Sequence, residues 1–216
     1  MKTDQHQPMG WNLEEGHLIL DFLNTAYITI TPDILPGYRL TDESLNTIDD
    51  LATWATERGV LRENMATALR NMADTAALAE LTCLLAVREA VRQVIRAQIQ
   101  GEAADPKLLV EINQKLLPAL QLTQLMPTEE GCAAACTSPE IESAPTALAQ
   151  IRWALGFSVM NLLTDRGEMA LIHECPGEDC GYLFRDASHG RRKWCSMRSC
   201  GNRAKVASFR ERQKAS

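Results

Sequence analysis

Two cysteine pairs constrain this chain more than anything else in it. Cys175-Pro-Gly-Glu-Asp-Cys180 is followed, fourteen residues later, by Cys195-Ser-Met-Arg-Ser-Cys200. The spacing C-x4-C-x14-C-x4-C lets each short loop turn two thiolates toward one point. The spacer is long enough for a hairpin that brings the pairs together. Zn2+ takes four such sulfurs tetrahedrally, at about 2.3 Å each. A redox pair normally encloses two residues, whereas both spans here enclose four. Four thiolates also close the coordination sphere, while a catalytic zinc keeps a position open for water. The pattern therefore predicts one structural Zn2+ on Cys175, Cys180, Cys195 and Cys200, with His173 and His189 nearby but facing solvent.

Between the pairs, Tyr182-Leu183-Phe184-Arg185 reads as a strand, Ser188-His189-Gly190 as a turn and Arg191 to Trp194 as the returning strand. Helical composition then runs through about Arg212. Knuckle, hairpin, second knuckle and helix is the order of a treble-clef-like zinc module. Such a module is too small for a core of its own. The metal supplies its folding free energy, on the order of 10–16 kcal/mol in zinc-finger peptides.

The rest of the chain reads differently. Of 216 residues, 45% are hydrophobic, enough for a core that needs no disulfide staples. The apolar stretches, such as Leu81 to Val87, are far short of the roughly 20 residues of a membrane span. Met1 to Pro8 carries no signal-peptide apolar region, so the expected compartment is the cytoplasm. Residues 17–25 predict a buried strand or the first turn of a buried helix, and 31–40 a loop around Pro32, Pro36 and Gly37. Thr47 with Asp49 and Asp50 marks a helix start, and Gly59 its stop.

Residues 63–100 are strongly helical, as one helix or as two with a break near Asp74. Leu84, Val87, Val91, Val94 and Ile95 form the inner stripe, and Arg88, Glu89, Arg92, Gln93 and Arg96 the other side. Asp105-Pro106 caps a further helix, a small hairpin is expected around Gly131, and residues 146–165 are amphipathic up to Gly167. Met169 to Ile172 suggests a strand. The expected fold is mainly α with a few short β-strands: a helical domain over residues 1–170 and the zinc finger over 171–216.

Charge separates the same two parts. Residues 175–216 hold ten Lys and Arg against four acids, a net +6, while the remainder carries −12. A basic tail on an acidic body points to a polyanion. Candidate DNA contacts are Arg191, Arg192, Lys193, Arg198, Asn202, Arg203, Lys205 and Arg210. Asn202 and Arg203 have a second reading, in which they hold the finger together. With few aromatic platforms outside the finger's own packing, the composition favours duplex DNA over RNA or single strands.

Phe184 to Ser188, Arg191 to Met197 and Cys200-Gly-Asn-Arg203 closely resemble the bacterial CGNR zinc-finger family, which is named for that last tetrad. His189 stands where that family usually has an asparagine-like turn residue. Leu20-Asp21-Phe22-Leu23-Asn24-Thr25 resembles the opening of the ABATE domain found upstream of such fingers, and residues 85–90 resemble its central helix. The resemblance implies a stress-induced transcription regulator with a DNA-binding finger and an upstream domain that binds an unidentified small molecule. Asp21, Asn24 and Thr25 then have two readings, caps and buried hydrogen bonds or the wall of a ligand pocket, and Arg88 is either a surface arginine or the anion partner of that pocket.

No hydrolase, metalloprotease, P-loop or dinucleotide signature occurs, and His17 alone offers the helical body an imidazole base. The expectation is a non-enzyme, compatible with a homodimer on a symmetric site. An adaptor for RNA or protein, and an enzyme with the finger as docking module, stay open as alternatives.

Overall fold

A computed structural model describes residues 15–29, 39–128, 131–136, 142–177 and 180–214. The core is organised around a short helix. α1 (Leu18–Leu23) buries all six of its residues, Asp21 included. It settles the strand-or-helix ambiguity of the N-terminal segment in favour of helix. Both ends of a buried helix need partners for their free amides and carbonyls. His17 gives no side-chain cap, so the amide of Ile19 donates to Ser158 Oγ (3.0 Å) on a neighbouring helix. At the other end, Thr25 Oγ1 donates to the Phe22 carbonyl (2.7 Å), and the Arg92 guanidinium donates to the Leu23 carbonyl. β1 (Ala26–Thr29) then pairs antiparallel with β2 (Arg39–Glu43). The loop expected between them lies outside the described residues, except that Arg39 and Leu40 open β2.

α2 (Ile48–Glu57) starts where the sequence predicts. Thr47 and Asp50 form a reciprocal capping box, and Gly59 follows the helix with φ 71°. Residues 63–100 form two helices, α3 (Glu63–Arg70) and α4 (Asp74–Gln100), with Gly101 left-handed at the end of α4 (φ 74°). α5 (Pro106–Lys115) is capped by Asp105, which accepts from the Lys107 amide (2.9 Å). A 3-10 turn (Leu117–Leu122) leads into the antiparallel hairpin of β3 (Thr123–Thr128) and β4 (Gly131–Cys136).

α6 (Ala144–Thr164) is the second long helix of the core. Its Gly156 passes so close to the Leu116 carbonyl that an added Cβ would sit 3.2 Å from that oxygen. The body's core is the apolar contact of α1, α2, α3, α4 and α6. Gly167 does not end α6: the helix stops at Thr164, and Asp165 caps a one-turn helix, α7 (Arg166–Met169). The strand expected at Met169 starts later, as β5 (Ile172–Glu174). Among the described residues, no helix is long and apolar enough to cross a membrane.

Candidate metal centre

β5 pairs antiparallel with β6 (Leu183–Arg185), and the first cysteine pair sits in the loop between them. The Cys175 amide donates to the Tyr182 carbonyl (2.8 Å) and the Cys180 amide to the Gly177 carbonyl (3.1 Å), which folds the loop into a knuckle. This corrects the expected pairing of β6 with Arg191 to Trp194. The return segment is not a strand, because its groups are used otherwise. The Arg192 amide donates to Ser188 Oγ (2.9 Å), and its guanidinium reaches the carbonyls of Arg185, Trp194 and Cys195. The turn itself is as expected, with positive φ at His189 (56°) and Gly190 (81°). Asp186 organises it by accepting from the amides of Ser188 and Gly190, each at 2.7 Å.

The second pair closes from a π-helical turn (Met197–Gly201) that runs into α8 (Asn202–Lys214). The four sulfurs all lie within 4.8 Å of one another. Cys195 Sγ is 3.6 Å from Cys180 Sγ and 3.7 Å from Cys200 Sγ. A ZnS4 tetrahedron with 2.3 Å bonds has sulfur–sulfur edges of about 3.8 Å. The sulfurs are therefore spaced for a metal and stand too far apart for disulfides. Cys175, Cys180 and Cys200 are buried, so the sphere is closed to solvent on most sides.

Two further N–H groups point at sulfur. The Cys195 amide donates to Cys175 Sγ (3.4 Å), and Arg203 Nη2 donates to Cys200 Sγ (3.1 Å). Glycine is required at Gly177, and a side chain at Gly201 would push the flexible Met197 aside. A Cβ on Gly177 would lie 2.9 Å from Cys200 Sγ, and one on Gly201 would lie 2.7 Å from Met197 Sδ.

Burial pushes the Cys180 thiol up to about 12, and drives Cys195 higher still. Burial acts on Cys200 in the same sense, but hydrogen bonds from Arg203 and the other cysteines outweigh it and hold that thiol at about 7. The metal-free cluster thus resists full ionisation, and Zn2+ supplies the charge that four adjacent thiolates require.

Two family models match the chain. The CGNR zinc finger covers residues 172–213. The ABATE family, described as "Putative stress-induced transcription regulator", covers residues 16–165. The chain belongs to the ABATE family. No curated protein matches it. The four cysteines of its CGNR finger hold one structural zinc.

The ABATE body and the finger share a polar seam that the sequence pattern did not reveal. Arg88, Arg92 and Arg96 were expected on the outer side of α4, yet they are 3%, 0% and 3% exposed. The finger and the C-terminal end of α1 pack on that stripe. Arg88 binds Thr25 Oγ1 (2.7 Å) and the carboxylate of Glu43. Arg92 joins the Leu23 carbonyl to the Gly181 carbonyl of the knuckle (3.4 Å to the latter), and Arg96 pairs with Glu174 on β5. Burial lowers the Arg92 pKa to about 10, which leaves the guanidinium charged at neutral pH. A signal was present: three arginines at i, i+4 and i+8 repel one another unless each has its own partner.

Asn24 completes the seam. Its Oδ1 accepts from the Leu183 amide (3.0 Å) and its Nδ2 donates to the Leu183 carbonyl (2.7 Å), as a third strand beside β6 would do. His17 Nε2 lies 3.1 Å from Glu168, whose carboxylate takes Arg185 at 2.7 and 3.0 Å. Glu15 holds Arg192 at 2.7 and 2.8 Å.

Among the candidate ligand residues, Asp21 pairs with Arg58 (3.6 Å) and accepts from the Glu15 amide (3.0 Å), so all three of Asp21, Asn24 and Arg88 have partners within the protein. Among the candidate DNA contacts, Arg192 is tied to Glu15 and stacks 4.7 Å over Phe184, and Arg203 is tied to Cys200. Arg191, Lys193, Arg198, Asn202, Lys205 and Arg210 are exposed.

Proposed function

We propose that this chain is a regulator that binds duplex DNA through its CGNR finger. The carrying observation is α8, which springs from the zinc site and is exposed from Lys205 to Gln213, with Lys205, Arg210 and Arg212 on its surface. Arg191, Lys193 and Arg198 add exposed charge at its root, beside an acidic body. Helix and turn together can straddle phosphates while bases are read between them. Arg203 in this reading holds a zinc thiolate, and Arg192 positions the finger instead of gripping DNA. Asn202 opens α8 toward the bases.

The chain divides near residues 170 and 171 into body and finger, and acts in the cytoplasm as a non-enzyme. Both family descriptions support that. A small molecule that reaches Asp21 or Arg88 must displace Arg58 or Glu43. Sensing would then act on the seam. Fluorescence anisotropy of the zinc-loaded protein on labelled duplex tests the DNA reading. Affinity should fall steeply as salt rises, by counterion release, and should vanish with chelator. Binding indifferent to salt would remove the phosphate grip.

A further inference from the structure

α8 has a face that neither the zinc site nor the seam uses. At about 100° per residue, Asn202, Val206, Phe209 and Gln213 fall on one stripe of the helix. Lys205 and Arg212 flank it on one side, and Arg203 and Arg210 on the other. Val206 is 42% exposed and Phe209 54% exposed. Met197 is 55% exposed, and Ala207 is exposed as well, so the face of Met197, Cys200, Ala204 and Ala207 is not a packed one. Only Cys200 and, in part, Ala204 are covered. The π-helical turn at 197–201 shifts the phase of α8 relative to the second cysteine pair.

A 13-residue helix exposed over most of its surface is marginal in water. Its geometry suits a partner. The two basic rails exclude a second copy, since two such helices face to face would oppose like charges. They suit the walls of a DNA groove, whose phosphates lie on both sides of an inserted helix.

We infer that Asn202, Val206, Phe209 and Gln213 are the base-reading stripe of the finger, and that it selects A·T pairs in the major groove. This rests on the DNA-binding reading above. Carboxamides pair with adenine N6 and N7, and apolar side chains pack on the thymine methyl. The stripe holds no guanidinium for guanine and no carboxylate for cytosine. The acid of α8, Glu211, lies on the back of the helix. From Asn202 to Gln213 the helix rises about 16 Å. That spans four to five base-pair steps of about 3.4 Å, which sets the size of the A·T element.

The test compares duplexes of equal length with A·T or G·C cores at fixed salt, using the full zinc-loaded chain. The A·T core should bind at least tenfold tighter. Phe209→Ala with Gln213→Ala should bring the two cores to within about twofold. That pair should leave zinc stoichiometry and the salt slope unchanged. Lys205→Ala with Arg210→Ala should weaken both cores equally and flatten the slope by nearly two ions. DNA binding with no A·T preference, or a preference that survives the Phe209 and Gln213 changes, overturns the stripe while the DNA reading stands. A self-association lost with Phe209→Ala, with DNA binding intact, also overturns it. No binding to any duplex ends both.

Discussion

The body and the finger solve the same problem with different means. The body packs α1, α2, α3, α4 and α6 into one continuous apolar core that excludes water. The finger's own core is Phe184 with Cys175, Cys180 and Cys200, and Tyr182, Trp194 and Cys195 pack against it. The body therefore draws its stability from buried area, at roughly 25 cal/mol per Å2. The finger draws it from a metal and from neighbours. Ile172 and Leu183, which lead into and out of the first knuckle, belong to the body's core. The contrast teaches that the finger leans on the body for one half and on zinc for the other.

The largest break between them comes from the metal. Cys200→Ser removes one ligand and should lose most of a zinc-finger binding energy, on the order of 10 kcal/mol. The expected result is loss of bound zinc and protease cleavage after residue 186, with the body's helical signal kept. If the variant's tail stays protected, the metal is not its scaffold.

Next comes the seam. Arg92→Met leaves the Leu23 and Gly181 carbonyls without their donor and should cost about 2–4 kcal/mol, measured by urea denaturation. Because Arg92 touches both parts, body and finger probes should shift together. Separate midpoints would show that the two are not coupled there.

Acid gives the smallest effect. Glu168 is held at about 2, first by the Arg185 hydrogen bond and then by His17, against the pull of burial. Its folded pKa lies below the unfolded one, near 4.3. The contribution is complete above that value and fades as pH falls toward 2, a loss of about 1–3 kcal/mol. Glu168→Gln should flatten that part of the pH–stability curve. An unchanged acid limb would place the sensitivity elsewhere.

The four ligands and the caps at Thr47 and Asp105 were legible because each rests on local chemistry, spacing and hydroxyl or carboxylate caps, whereas the period alone left open whether residues 63–100 break near Asp74. The seam was not legible. Arg88, Arg92 and Arg96 read as a solvated face until their partners Glu43, Glu174 and the knuckle carbonyls, far off in sequence, come into view. Arg192 looked like one cation in a run and proved to be the finger's internal brace. The partner of β6 was misread for a related reason. Nothing near Arg191 to Trp194 reveals that β5, before the first cysteine, fills that edge.

The Asn24–Leu183 contact closes across 159 residues of sequence. On a ribosome adding about 5–20 residues per second, Asn24 is made some 8–30 s before its partner. Throughout that interval the far end of α1 waits unfinished in the nascent protein. Translation must run almost to the last cysteines before the first helix is fully enclosed.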